Sequence, residues 1–344
     1  MHFRVDEQAL SLRKTLRAMA LVHSSWTELA HRALRRSLQI SSPTSLQCSL
    51  WNPLCGPWVR ELSLNLYFSQ EWPVDAIARL KYLLQNCMPN VRTLLIEDSL
   101  APCKGFSALN FIRSDNLQRL QVNVHGLHSL VAICNALPNF THLKQLSIFN
   151  DVQYIRWDVP LPNPPVQKPP ASLVNIMVTS VDELPLKYAD YILASAGHFI
   201  PKRLSLSLRV VSQNAVVVLN NILQPTFPKL EFLHLDFDEL RMFGRPKVLP
   251  LTKELAQSWL SWCSSLKHLS LWRVYPEQIS ELPPTVETLE LAEMNADGLD
   301  AALESLITNS PALKVLSVPM DVDERLKSFC AGRRVEISVR QGHV

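Results

Sequence analysis

Pro228-Lys229-Leu230-Glu231-Phe232-Leu233-His234-Leu235 sets the pattern that the rest of the chain repeats. Its skeleton is P-x-L-x-x-L-x-L, with aliphatic residues at relative positions 1, 4 and 6. Leu233 and Leu235 alternate with Phe232, His234 and Asp236, which is the two-residue period of a strand. Leu230 leads the chain into that strand. A lone strand of this length cannot bury its apolar face, so it requires a copy on either side.

The copies are present. Aliphatic residues recur at positions 1, 4 and 6 in Val59/Leu62/Leu64, Val91/Leu94/Ile96, Leu117/Leu120/Val122 and Leu143/Leu146/Ile148. They continue in Leu173/Ile176/Val178, Leu266/Leu269/Leu271, Val286/Leu289/Leu291 and Leu313/Leu316/Val318, and Pro201 leads Leu204/Leu206. Ten such units start at 59, 91, 117, 143, 173, 201, 230, 266, 286 and 313. The period resembles that of leucine-rich repeats, about 20–29 residues each. That resemblance implies an α/β solenoid: a curved parallel sheet, with helices and irregular returns on the convex side.

The segments between strands carry helical spacing. Asp75–Gln85, Leu127–Ala136, Ala215–Leu223, Leu255–Trp262 and Leu299–Ile307 predict helices, and Asp182–Ala196 is a further candidate. Two connections are long. Residues 151–170 hold six prolines and exclude a helix; an extended return packed on the convex side is preferred over a polyproline docking segment. Residues 236–250 predict a loop. Val335, Ile337 and Val339 alternate as an eleventh strand, preceded by a helix over Val322–Cys330, with Arg333, Arg334 and Arg340 protecting the sheet edge.

Composition narrows the function classes. Lys and Arg number 34 against 31 Asp and Glu, net +3, which gives no argument for a polyanionic partner such as nucleic acid. Only 8 glycines occur, against an average usage of about 7%, and no two lie close enough to write a G-x-G-x-x-G or Walker loop. The seven cysteines, Cys48, Cys55, Cys87, Cys103, Cys134, Cys263 and Cys330, are odd in number and contain no C-x-x-C. They read as free buried thiols in a reducing compartment, cytoplasmic or nuclear. No apolar run is long enough for a membrane span, and the first residues do not form a signal peptide.

Residues 5–39 differ from the repeats. Apolar residues at helical spacing from Leu12 to Leu38 predict two or three helices with Arg13, Lys14, Arg17, Arg32, Arg35 and Arg36 on the other faces. The stretch Thr15 to Leu34, with Ala20-Leu21-Val22 followed by Trp26, resembles the second half of an F-box of the fungal F-box-like type. The resemblance implies that Leu16, Leu21, Val22 and Trp26 pack the helical motif or face a Skp-type adaptor protein. No Leu-Pro-x-Glu helix, with which an F-box opens, fits upstream of this segment, so a truncated or degenerate F-box is expected. The same helices also suit an N-terminal cap of the solenoid, which covers the first apolar repeat face. The expected organisation is a partial F-box-like helical segment over 1–40, a linker over 41–58 and the solenoid over 59–344.

No catalytic set is written in the chain. His125 and His128 form the only close histidine pair, without a carboxylate or cysteine at ligand spacing. Asp236/Asp238/Glu239 and Asp321/Asp323/Glu324 lack the glycine and terminal glutamate of a calcium loop and read as solvated turns. No cofactor, metal or enzymatic activity is expected. With positions 1, 4 and 6 turned to the core, positions 3, 5 and 7 form a concave wall. Over most repeats that wall is small and polar. Phe232, His234, Asp236, His268 and Trp272 break the pattern with aromatics ringed by polar groups, the composition of protein-binding hot spots; shielding of Phe232 and Trp272 by the 236–250 insertion is the competing reading. The expected function is a monomeric protein-interaction module. The F-box resemblance makes it a substrate receptor of a Skp–cullin–F-box ubiquitin ligase, and the alternative is a leucine-rich-repeat scaffold without adaptor binding.

Overall fold

The computed structural model describes residues 18, 33, 36–42, 44–46, 53–66, 75–98, 109, 116–124, 127–150, 162–181, 184–193, 201–208, 213–237, 250–272, 282–292, 299–319 and 322–339. The chain divides into two compact units, Met1–Leu143 and Lys144–Val344. Each is an α/β solenoid of the leucine-rich-repeat kind, with all-parallel strands stacked in sequence order.

The first unit holds β1 (Ser37–Ile40), β2 (Glu61–Leu66), β3 (Thr93–Asp98) and β4 (Arg119–Val124). Their register puts Leu38, Leu62, Leu94 and Leu120 in one column and Ile40, Leu64, Ile96 and Val122 in the next. From Leu62 to Val122 these residues are almost wholly buried. Full burial of one such side chain contributes about 1.5–3 kcal/mol. The returns between strands include α1 (Ala76–Tyr82), which runs into a π turn over Leu83–Cys87, and α2 (Leu127–Ala136). A side chain at Gly56 would overlap the Cys87 carbonyl. The lack of a Cβ there lets the Pro53–Trp58 turn approach the π turn.

The second unit holds β5 (Gln145–Asn150), β6 (Asn175–Val178), β7 (Arg203–Leu208), β8 (Phe232–Phe237), β9 (His268–Trp272), β10 (Thr288–Ala292), β11 (Val315–Val318) and β12 (Glu336–Val339). Leu146, Ile176, Leu204, Leu233, Leu269, Leu289 and Leu316 form one continuous column, and all are buried. Ile337 on β12 continues it and is half-buried. Helices α3 (Leu186–Leu193), α4 (Gln213–Leu223), α5 (Pro250–Trp262), α6 (Leu299–Thr308) and α7 (Glu324–Gly332) lie between the strands. Trp259 on α5 is fully buried; its indole Nε1 donates to Asn220 Oδ1 at 2.7 Å, and its ring packs 5.4 Å from that of Phe227. Asn220, which interrupts an aliphatic run, thus satisfies a buried indole.

A single backbone device repeats along both ladders. The carbonyl at position 2 of one repeat accepts the N–H groups at positions 2 and 3 of the next. Arg36 O takes Arg60 and Glu61, and Arg60 O takes Arg92 and Thr93. In the second unit Lys202 O takes Glu231 and Phe232, and Glu231 O takes Lys267 and His268. Leucine-rich repeats commonly carry an asparagine or cysteine at position 9; no repeat here has asparagine there, and asparagines just ahead of position 1 tie repeats of the first unit together. Asn90 donates to the Pro57 carbonyl at 3.0 Å and Asn116 to the Pro89 carbonyl at 2.9 Å.

Several expectations need correction. Ser37–Ile40 is a strand rather than the end of a helix, so the strands begin one unit before Val59. Leu38 is half-buried and Ile40 fully buried; both lie on a strand that only β2 flanks within the described residues, so position 1 there need not be aliphatic and holds Arg35. Helix α5 begins at Pro250, because proline is well tolerated in a first helical turn. Helix α7 begins at Glu324, where Asp323 accepts the Leu326 N–H as an N-cap at 2.6 Å. The proline-rich segment takes an irregular, non-helical path with a bend at Val166–Gln167 over its described part, 162–170. Tyr188 and Tyr191 of α3 donate their hydroxyls to the Pro162 and Gln167 carbonyls at 2.9 and 2.8 Å. Arg333 stacks 5.8 Å from the Phe329 ring and Arg334 takes a left-handed turn (φ 61°) into β12; Arg340 lies outside the described residues.

Candidate functional site

The register of β7, β8 and β9 assembles the predicted patch. Phe232 pairs with His268, His234 with Ser270, and Asp236 with Trp272, so five residues from two repeats share the sheet face opposite the core. Position-2 turns bring the chain into each strand in phase, and the buried Leu233/Leu235 and Leu269/Leu271 pairs force the alternate residues outward.

The side chains touch one another. The rings of Phe232 and His268 lie 6.5 Å apart, and the Arg203 guanidinium sits 4.7 Å over the Phe232 ring, a cation–π geometry. His234 meets Trp272 edge-on at 5.5 Å and shares a 2.9 Å hydrogen bond with Ser270 through Nδ1. Burial against these neighbours lowers the His234 pKa from the usual imidazole value to about 4, so the ring is neutral at physiological pH. Among the described residues the buried Trp272 Nε1 has no hydrogen-bond acceptor. Phe232, His234, Asp236 and Trp272 are half-buried and only His268 is exposed. The wall is therefore a firm aromatic–imidazole platform rather than a set of freely projecting rings. The insertion that follows Phe237, through Leu249, lies outside the described residues. So do the adaptor-facing candidates Leu16, Leu21, Val22 and Trp26; of that segment only Ala18 and Ala33 are described, both helical and exposed.

Cys87, Cys134, Cys263 and Cys330 are buried and in no disulfide, as expected of structural thiols. Burial pushes the Cys263 thiol up to about 12 and Cys134 higher still, which keeps both protonated and inert. Asp323 is used as a helix cap and Glu324 pairs with Lys327 at 2.9 Å, which accounts for that acidic turn. Among the described residues no group of three His, Cys, Asp or Glu side chains is placed to hold a metal ion, and no helix is long and apolar enough to cross a membrane.

One feature was missed by reading the chain along its length. A cleft of about 500 Å³ in the first unit is lined by Arg36, Arg60, Arg92 and Arg119, together with Trp58 and Glu61. The arginines lie 24 to 32 residues apart, so they do not form a charge run; the strand register alone brings them together.

No protein-family profile matches the chain, and no curated protein matches it. Among solved structures, a Bacteroides fragilis protein from a structural-genomics effort aligns at 14% identity with a TM-score of 0.37. The alignment covers 82% of this chain, and the chain spans only 66% of that protein's length. A likeness this slight carries no argument about function.

Proposed function

We propose that the chain is a protein-binding receptor that holds its target on the outward face of β7–β9. The observation that supports this reading is the platform itself: Phe232, His234, His268 and Trp272 packed in register, with Arg203 over one ring. Ordered aromatics with polar neighbours lose little side-chain entropy on binding, which is why such groups dominate interface energetics. The resemblance of Thr15–Leu34 to an F-box extends the reading. In it the N-terminal helices dock a Skp-type adaptor through Leu16, Leu21, Val22 and Trp26, and the receptor delivers its target to a cullin-based ubiquitin ligase in the cytoplasm or nucleus.

The two parts are tested separately. Purified full-length chain is mixed with a Skp-type adaptor, and complex formation is followed by size-exclusion chromatography. A complex that is lost in Trp26→Ala supports the ligase reading; no complex with the wild type removes it and leaves a scaffold. Cross-linking mass spectrometry in cells then locates the target. Cross-links should map to β7–β9 and disappear in Phe232→Ala/Trp272→Ala. Cross-links confined to other strands would remove the platform as the target site.

A further inference from the structure

We propose that the arginine-lined cleft of the first unit binds a small ligand carrying a di- or triphosphate chain. Position 2 of successive repeats places Arg36, Arg60 and Arg92 side by side at the start of β1, β2 and β3, and Arg119 opens β4. Neighbouring strands lie about 4.8 Å apart, and the four arginines line one cleft of about 500 Å³. Among the described residues Arg36, Arg92 and Arg119 enter no ion pair. Arg60 is steadied by donating Nη1 to the Pro57 carbonyl at 2.8 Å and the Val59 carbonyl at 3.3 Å. The only acid among the lining residues is Glu61.

Four positive groups against one carboxylate leave the cleft with a local charge of +3, equal to the net charge of the entire chain. Like charges held this close are costly unless a counter-charge arrives. A single carboxylate would leave most of the guanidiniums unmatched. A di- or triphosphate chain supplies several negative charges and many acceptor oxygens, in the geometry that planar guanidinium forks bind in pairs. Thr93 and Gln118 add a hydroxyl and an amide to the same wall. The volume suits a small molecule, and Trp58, 38% exposed at the cleft, offers a ring beside the phosphate site.

The test is isothermal titration of the full chain with sodium tripolyphosphate and, in parallel, with ATP, at about 0.05 and 0.3 M salt. Binding should be saturable and weaken with salt. Arg36→Gln/Arg92→Gln, which alters two exposed side chains that enter no ion pair among the described residues, should reduce affinity at least about tenfold. Lys202→Gln/Lys267→Gln removes the same charge from the second unit and should leave affinity within about twofold. ATP binding more tightly than tripolyphosphate, with the surplus lost in Trp58→Ala, identifies a nucleotide; equal affinities identify the phosphate chain alone. The proposal is overturned by no binding up to about 1 mM of either probe, or by equal losses in the two double variants. It is equally overturned if a phosphoserine peptide binds where tripolyphosphate does not.

Discussion

At position 2 of the first unit the repeats read Arg36, Arg60, Arg92 and Gln118; in the second unit, from Lys202 onward, they read Lys202, Glu231, Lys267, Glu287 and Lys314. Both columns lie on the same kind of turn, fixed by the same shared carbonyl. The second column neutralises itself. Lys202 reaches Glu231 at 2.9 Å and Lys314 reaches Glu287 at 2.8 Å. Hydrogen bonds from these lysines, then their charge, hold both carboxyls below the usual range, and Lys267 adds to the effect on each. The first column has no such alternation, and its charge stays open to a ligand. One backbone pattern therefore carries two electrostatic outcomes. A solenoid position that is structurally equivalent in every repeat is free to be a solvated surface in one region and a binding site in another.

The two units have the same kind of buried core and differ at their surfaces. The largest effect tests the shared part. Leu120→Ala in the first unit and Leu233→Ala in the second remove equivalent buried side chains and should each cost about 2–5 kcal/mol in chemical denaturation. A cost below about 1 kcal/mol for either would show that its column is not a packed core. Next comes pH. His234 is neutral when folded, with its pKa lowered to about 4, so the unfolded chain binds the extra proton first as pH falls. Its contribution is complete above the ordinary imidazole value, is lost as pH drops from about 6.5 toward 4, and amounts to at most about 3 kcal/mol. Wild type should therefore lose more stability than His234→Asn between pH 7 and 4.5. Equal losses would mean that the ring is not desolvated.

Smaller effects sharpen the surface contrast. Arg92→Glu writes the alternation of the second column into the first. It should leave the denaturation midpoint nearly unchanged, as expected for exposed charges, while abolishing phosphate binding to the cleft. The smallest effect is a titration. Followed by carboxyl-resolved NMR, Lys202→Gln should raise the Glu231 pKa more than Lys267→Gln does, because the Lys202 hydrogen bond is its largest cause. Lys267→Gln should raise Glu231 and Glu287 together. Unmoved carboxyls in both variants would mean that the second column is not coupled.

The repeat architecture was legible because burial dictates it. Positions 1, 4 and 6 must be apolar to fill the stack, and that requirement is written locally in each L-x-x-L-x-L. Strand β1 escaped because Arg35 stands at its position 1 and Leu38 lies four residues after Leu34, which continues the helical spacing of the preceding segment. The platform on β8 and β9 was found because its residues occupy outward positions of motifs already in register. Its half-burial was not foreseen, since the contact of His234 with Trp272 and the cation over Phe232 depend on cross-strand distances. The arginine cleft escaped for a different reason. A net charge of +3 averages over 344 residues, while the cleft concentrates the same charge at one turn. Reading position 2 down the repeats, rather than along the chain, would have exposed it.

The doubly used carbonyl at position 2 has an architectural consequence. Because the repeats that follow one another from Lys202 to Glu287 offer the same acceptor and present the same two donors, any of these repeats can in principle be cut out or duplicated whole. Removing residues 231–266, for example, would bring Lys267 and His268 to the acceptor on Lys202 that Glu231 and Phe232 now occupy. Cuts made elsewhere in the repeat would leave donors and acceptor out of step. Such a chain can change length in whole-repeat increments without redesigning a single junction.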